Sequence, residues 1–230
     1  MSKKNDVVLF ISDLHAPYQH KDALRFLKAI KKKYKPTRVI CTGDEVDYHA
    51  LSFHASDPDL DSAGVELKKA IAFIKKLECV FPDVELVNSN HGSMVYRKGK
   101  VNGMPRHVLK PYREVLGVDW TWSDSITDLE LNLFVIHGSK KNSETYSKQL
   151  GMNVVQGHYH EDLRLGFNNN PGGLIWGMNI GCLIDDESYA FAYNKVNPSK
   201  PALGTGIIIN GIPQLIPMLL DDNKRWIGKL

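Results

Sequence analysis

Five short stretches of this 230-residue chain gather the side chains that could do chemistry. They are Ser12-Asp13-Leu14-His15, Gly43-Asp44-Glu45-Val46-Asp47, Asn88-Ser89-Asn90-His91-Gly92, His137-Gly138 and Gly157-His158-Tyr159-His160. Each directly follows an apolar run. Asp13 and His15, one residue apart on an extended turn, could grip one cation from adjacent sides. Asp44 carries two carboxylate oxygens and could bridge two cations, while His158 and His160 could reach one each. Mixed carboxylate, imidazole and amide donors suit borderline divalent ions such as Mn2+, Fe2+ or Zn2+. Two such ions about 4 Å apart can activate water and clamp phosphate oxygens. A lone Asp or His after a strand is more often a turn-former or a cap. Five pieces in order, holding five of the chain's nine histidines, read poorly that way.

Something must position these pieces, and the runs before them read as strands. Val7–Ile11 is continuously apolar, the pattern of a strand covered on both faces. Ala23, Phe26, Leu27 and Ile30 then keep helical spacing, with Asp22 as N-cap, three lysines (Lys31, Lys32, Lys33) at the end and Pro36 closing. Arg38–Cys41 is a second strand. Leu67, Ala70, Ile71, Ile74, Leu77 and Phe81 form a second helical stripe stopped by Pro82, and residues 84–87 are a third strand. This βαβαβ order implies parallel strands with right-handed crossovers. Residues 88–117 are polar and basic, with a weak helical signal over 107–115. The remaining chain predicts strands at 131–136, 154–155, 163–167, 174–178 and 207–217, with hairpin turns at Asn170-Pro171-Gly172-Gly173 and Asn210-Gly211. The expectation is two packed sheets flanked by helices, one domain over residues 1–230. Ligands in open α/β sheets sit beyond the carboxyl ends of the strands, so the five pieces should converge on one rim.

Composition narrows the class further. Hydrophobic residues make up 43% and charged residues 24%, ordinary for a globular protein, which excludes a disulfide scaffold or bulk disorder. No apolar run approaches a membrane span. The basic start, Met1 to Asp6, precedes an apolar run too short for a signal-peptide core. Cys41, Cys79 and Cys182 form no CxxC pair, so the expectation is reduced thiols, a cytoplasmic protein and no membrane partner. A net charge of +3 is too mild to announce a nucleic-acid binder by itself.

Taken in order, D-x-H, G-D-x-x-D, N-H, H-G and G-H-x-H resemble the calcineurin-like metallophosphoesterase superfamily. The likeness spans Asp13 to His160 and extends to Asn179-Ile180-Gly181-Cys182. It implies a four-layer αββα sandwich and two divalent cations, Mn2+ favoured over Fe, Zn, Mg or Co. One cation would be held by Asp13, His15, Asp44 and His160, the other by Asp44, Asn90, His137 and His158. His91 matches a non-ligand histidine that protonates the leaving group or steadies the phosphate, and Asp47 the carboxylate that holds and charges it. A hydroxide bridging the cations would attack phosphorus in line.

The chain departs from that pattern at several positions. Tyr48 stands where phosphoprotein phosphatases carry a phosphate-gripping Arg, which marks down a protein phosphatase. Ser89 and Gly92 replace a Gly and an acidic residue that commonly flank Asn-His, removing a carboxylate support. Asp47 stands where repair nucleases often have His, which favours a phosphatase. The basic stretch at about 92–117 holds Tyr96, Arg97, Lys98, Lys100, Arg106, His107, Lys110, Tyr112 and Arg113. It reads either as a solvated loop or as a lid over the site, with Arg97 and Arg106 as substrate contacts beside Asn90. Trp120 and Trp122 could form a base platform or simply pack a sheet, and His49 and His54 read as surface polarity. The favoured substrate is a small phosphomonoester such as a nucleoside 5′-monophosphate. The alternatives are a metal-dependent DNA or RNA nuclease and, more remotely, a non-catalytic binding module on the same fold.

Overall fold

Alternate residues of strand β1 (Val7–Ile11) serve two cores: Leu9 and Ile11 belong to one buried cluster, Val8 and Phe10 to another. That division generates the layers. In the computed structural model, which describes residues 6–53, 59–138, 140, 142–188 and 200–230, β1 leads to α1 (Ala23–Tyr34), β2 (Arg38–Cys41), α2 (Ala63–Val80) and β3 (Glu85–Val87). Two short helices follow, α3 (Met94–Val101) and α4 (Tyr112–Leu116), then β4 (Thr121–Ser123), β5 (Ile126–Asp128) and β6 (Leu133–Ile136). The remaining elements are α5 (Ser143–Leu150), β7 (Asn153–Gln156), β8 (Leu163–Asn170), β9 (Gly173–Ile180), β10 (Gly204–Ile209) and β11 (Ile212–Pro217).

The first sheet runs β11-β10-β1-β2-β3-β4 and the second β5-β6-β7-β9-β8. Strands β1 to β4 are parallel, as are β6, β7 and β9; β10 pairs antiparallel with β1, β5 with β6 and β8 with β9, so both sheets are mixed. Between the sheets, Val8, Phe10, Ile40 and Val87 meet Leu133, Val135, Val155, Met178 and Ile180. Phe26, Leu27 and Ile30 of α1 and Ile74 and Leu77 of α2 cover the other face of the first sheet. Each such fully buried side chain contributes about 1.5–3 kcal/mol of transfer free energy. Phe134, between two core residues of β6, turns the opposite way and meets Tyr146 of α5 edge-on at 6.0 Å. The order helices, sheet, sheet, helix is the αββα sandwich that the sequence suggested.

Two expectations change, two helices are added and one open alternative is decided. Asp22 precedes α1, but its carboxylate caps no amide there. It accepts instead from Arg225, at 2.8 and 2.7 Å, and from the Trp226 amide at 3.0 Å, clasping the C-terminal segment onto α1. The weak helical signal over 107–115 resolves into a 3-10 turn at Arg106–Val108 and α4, while α3 lies before it, where no helix was expected. Gly99 hid α3 from propensity: it lets Leu109 pack close, a Cβ there lying 2.8 Å from Leu109 Cδ1, at the cost of a residue that helical tendency disfavours. Helix α5 was missed because only Ser143 and Ser147 of it are buried, leaving no apolar period. Its ends were the available signal, with Asn142 accepting from the amides of Glu144 and Thr145 and Gly151 in the left-handed conformation. Trp120 is core, donating from Nε1 to the Phe81 carbonyl at 3.2 Å, and Trp122 packs on Tyr112, so neither forms a base platform.

Candidate metal centre

The parallel strands end together, and the loops after them are stitched by main-chain bonds. The Asp13 and His15 amides donate to the carbonyls of Gly43 and Asp44 at 3.1 and 2.8 Å, and the Gly157 amide donates to His137 O at 2.8 Å. Asp13, His15, Asp44 and His158 all adopt positive φ between 48° and 68°. Such backbone is costly for residues with a Cβ and is tolerated where the surroundings enforce it, commonly at functional sites. Here the enforcement is visible. Asp13 Oδ2 accepts the His158 amide at 2.9 Å, and Asp44 Oδ1 accepts the His91 amide at 3.1 Å.

Asp13, His15, Asp44 and His160 form one cluster of donor atoms, and Asp44, His137 and His158 form another. In the first, His160 Nε2 lies 3.1 Å from both Asp13 Oδ1 and His15 Nε2. In the second, His137 Nε2 lies 2.7 Å from Asn90 Oδ1, 3.2 Å from His158 Nδ1 and 3.2 Å from Asp44 Oδ2. That same Asp44 oxygen is 3.5 Å from His15 Nε2, so one carboxylate joins the clusters. Ligands about 2.1 Å from a shared cation stand roughly 3.0–3.4 Å from one another in octahedral and tetrahedral arrangements. The donor spacing fits cation binding in both clusters.

The surroundings fix which nitrogen each imidazole offers. His137 Nδ1 donates to the Thr42 carbonyl at 2.9 Å, and His15 Nδ1 donates to Asp47 Oδ1 at 2.6 Å. A carbonyl can only accept, so Nδ1 is the nitrogen that stays protonated and Nε2, facing the cluster, is the one that would give up its proton to a cation, an arrangement typical of metal-ligating histidines. Burial alone would raise the Asp13 carboxyl, but His15 and His160 hold it well below the usual range. Asp44 is likewise held down against burial by His137 and His91. Burial opposes charge on His137, yet Asp44 lifts it to about 9. Two buried, ionised carboxylates at one point demand positive charge close by, which the histidines supply in part and cations would supply fully.

The second-motif carboxylate differs in use from the expectation. Asp47 Oδ1 accepts from His15 Nδ1 and is 3.6 Å from His91 Nδ1, which donates instead to the Asp47 carbonyl. Burial moves the His91 imidazole below its ordinary value, outweighing Asp44 and Asp47, which push the other way. Ser89 supplies the support that the missing carboxylate was expected to remove: its Oγ accepts the amides of Asp44 and Gly92, each at 3.0 Å, tying two loops together. Tyr48 is buried beside Tyr112 and presents no cation to the site.

Two residues of the site escaped the sequence reading. Glu45 is buried, and Tyr112 donates to its Oε1, anchoring α4 against the loop that presents Asp44. Glu66 of α2 accepts the amides of His49 and Ala50 at 2.7 and 2.9 Å and so braces the end of that loop. Neither has a distinctive spacing; both would be found only as carboxylates on helix- or strand-facing positions. Beside His137, His158 and Asn90 opens a cavity of about 460 Å3, also lined by Asn88, Ser93, Arg97 and Asp124. Arg97 donates to the Asn90 carbonyl at 3.3 Å and lies over the Phe53 ring at 4.9 Å. Arg106 is not brought there: it sits over Tyr96 at 5.3 Å, on the 3-10 turn that leads away. His54 lies outside the described residues, and the described residues contain no helix long and apolar enough to cross a membrane.

A two-sheet sandwich with a histidine and carboxylate cluster at its strand ends is the architecture of a metal-dependent phosphoesterase class. Residues 7–197 match the family model of the calcineurin-like phosphoesterases, and the chain belongs to that family. Among curated proteins none matches it. Similar solved structures include Vps29 from Chaetomium thermophilum, 13% identical with a TM-score of 0.49, covering 96% of this chain and 92% of that one. An archaeal phosphodiesterase is 15% identical with a TM-score of 0.49, covering 92% and 99%, and the Escherichia coli phosphoesterase YfcE is 13% identical with a TM-score of 0.49, covering 96% and 96%.

Proposed function

We propose that the chain hydrolyses a small phosphomonoester, a nucleoside 5′-monophosphate being the favoured substrate, with two divalent cations held at the joined clusters. The observation that carries this is Asp44 standing within 3.5 Å of His15 and 3.2 Å of His137. Asp13, His15, Asp44 and His160 would hold one cation and Asp44, Asn90, His137 and His158 the other, with Mn2+ the favoured ion for this donor set. When bound, the pair supplies acidified water and neutralises charge on the phosphate oxygens.

The chain's own residues do the rest. His91 carries its proton on Nδ1 toward the Asp47 carbonyl and leaves Nε2 for the reacting phosphate; after taking a proton from solvent at Nε2 it can pass that proton to the leaving oxygen. Asp47 orients His15 and, through its carbonyl, His91. Arg97, in the cavity wall, offers a guanidinium fork to phosphate oxygens. A cavity of about 460 Å3 suits a single nucleotide. The three free cysteines support a reducing compartment, the cytoplasm.

The basic stretch favours a second reading. Residues 92–117 hold six Lys or Arg against one acid, Glu114, which suits a nuclease tracking a polynucleotide backbone. A panel of nucleoside monophosphates, bis-nitrophenyl phosphate and labelled DNA and RNA, each with Mn2+ and with EDTA, separates the two. EDTA-sensitive release of phosphate from the monophosphates is the expected result; strong DNA or RNA cleavage with silent monophosphates would replace the first reading by the second.

A further inference from the structure

Strand order gives the cavity a direction. In the first sheet β1, β2, β3 and β4 lie side by side, and the chain delivers Asp13, Asp44, Asn90 and Asp124 just beyond their respective ends. Neighbouring strands stand about 4.8 Å apart. Asp124 therefore sits one strand outward from the Asn90 and His137 pair, on the same cavity. Asn88 lines it too, and its Nδ2 donates to Asp124 Oδ1 at 3.2 Å. That is the one hydrogen bond to the Asp124 carboxylate among the described residues. Ionised carboxylate oxygens are acceptor-only, with several lone-pair sites each. The outer end of the cavity thus asks for hydroxyl or amine donors and resists a second phosphate, while its inner end and Arg97 ask for the first.

We infer that Asn88 and Asp124 form the leaving-group subsite, reading the vicinal hydroxyls of a ribose whose 5′-phosphate lies at the metal centre. This rests on the proposed function and names the substrate class within it. A carboxylate that accepts a ribose hydroxyl is an established way of recognising the sugar of a nucleotide cofactor, and its two oxygens can take both hydroxyls of a vicinal diol. The same carboxylate penalises a phosphate on the 3′ oxygen, so it selects a mononucleotide over the interior of a polynucleotide. Asp124 is a specificity residue here, with no part in proton transfer.

The test compares kcat/KM of the Mn2+-loaded full chain for a ribonucleoside 5′-monophosphate, its 2′,3′-dideoxy counterpart and the nucleoside 3′,5′-bisphosphate. A site built to bond a hydroxyl rejects the analogue lacking it. The wild type is expected to favour the ribonucleotide over the dideoxynucleotide by about tenfold or more, mostly through KM. Asp124→Ala should bring that ratio near one and improve the relative rate on the bisphosphate, while Asp124→Asn, keeping one acceptor oxygen, should retain part of the preference. A wild-type ratio near one, or a ratio that Asp124→Ala leaves intact, overturns the inference. Should no phosphomonoester be turned over, the functional reading falls by itself. Calorimetric titration of the two nucleotides onto the Mn2+-loaded chain then decides the subsite: a diol preference abolished by Asp124→Ala sustains it, and equal binding overturns it.

Discussion

Asp13 and His160 stand 3.1 Å apart, Oδ1 to Nε2, though 147 positions of chain separate them. The fold closes that gap by placing β1 and β7 in facing sheets whose carboxyl ends share a rim. The His158 amide reaches Asp13 from the same loop, so the first and last motifs are held by side chain and main chain together. Removing any one contact should leave the others to hold the loops, whereas crowding the junction should disturb all of them.

Gly157 tests that expectation. A Cβ there would lie 1.9 Å from Ser12 Oγ, 2.3 Å from Asp13 Oδ2 and 2.7 Å from Thr42 Oγ1. Gly157→Ala must displace Asp13 or the loop carrying His158. Overpacking of this kind costs about 1–3 kcal/mol, and each kcal/mol lowers Tm by about 2–4 °C in a chain this size. Thermal melts with and without Mn2+ should show a lower Tm and a smaller gain on adding metal. An unchanged metal-dependent gain would count against Asp13 as a ligand.

His91→Ala separates metal holding from proton transfer. His91 lies near the cluster, but its Nδ1 is committed to the Asp47 carbonyl, and it is no member of the two donor sets proposed. The variant should keep its metal by mass-spectrometric analysis while kcat falls about 10²–10⁴-fold, the usual reach of general acid catalysis. Loss of metal with residual fast turnover would reverse the assigned role.

Tyr112 and Glu45 form a buried pair whose coupling is measurable. Tyr112→Phe keeps the ring against Trp122, at a centroid distance of 4.5 Å, but removes the donor to Glu45. Leaving a buried carboxyl without that partner should cost about 1–3 kcal/mol in chemical denaturation. Combining it with Glu45→Gln should cost less than the sum of the two single changes; strict additivity would show that the two side chains do not act together.

Glu66 gives the stability a pH dependence of known sign. Burial pushes its carboxyl up from 4.5 to about 7, outweighing the amides of Ala50 and His49, which favour the ionised form. The folded chain therefore binds this proton more tightly than the unfolded chain does. The Glu66 contribution is fully present below 4.5 and is lost as pH rises toward 7. Melts near pH 5 and near pH 8 should show wild type losing stability relative to Glu66→Gln across that interval. A constant difference between the two proteins at both pH values would contradict it.

What was legible in the sequence was the part written in strong local patterns. The apolar runs of β1 and β2 and the i, i+3, i+4 stripe of α1 announced themselves, and the polar residues following each strand marked the rim. Hidden were features decided by packing between distant segments. Gly99 disguises α3 because its reason is Leu109, ten residues on, and α5 buries serines where periodicity looks for leucines. Asp22 looked like a cap, but Arg225, from the far end of the chain, offered its carboxylate two charged donors. In the site itself the ligand types were readable, whereas the division of Asp47 between His15 and His91 depends on ångström-level loop placement that no spacing encodes.

The central claim is a pair of cations joined through Asp44, and electron paramagnetic resonance of the Mn2+-titrated chain reads it directly. The account predicts that the second equivalent of Mn2+ produces an exchange-coupled spectrum of two neighbouring ions. In Asp44→Ala that signal should be lost and metal binding weakened. A simple six-line spectrum of isolated Mn2+ at every loading, or no bound Mn2+ at saturation, would contradict the paired centre and favour a binding module without hydrolytic chemistry.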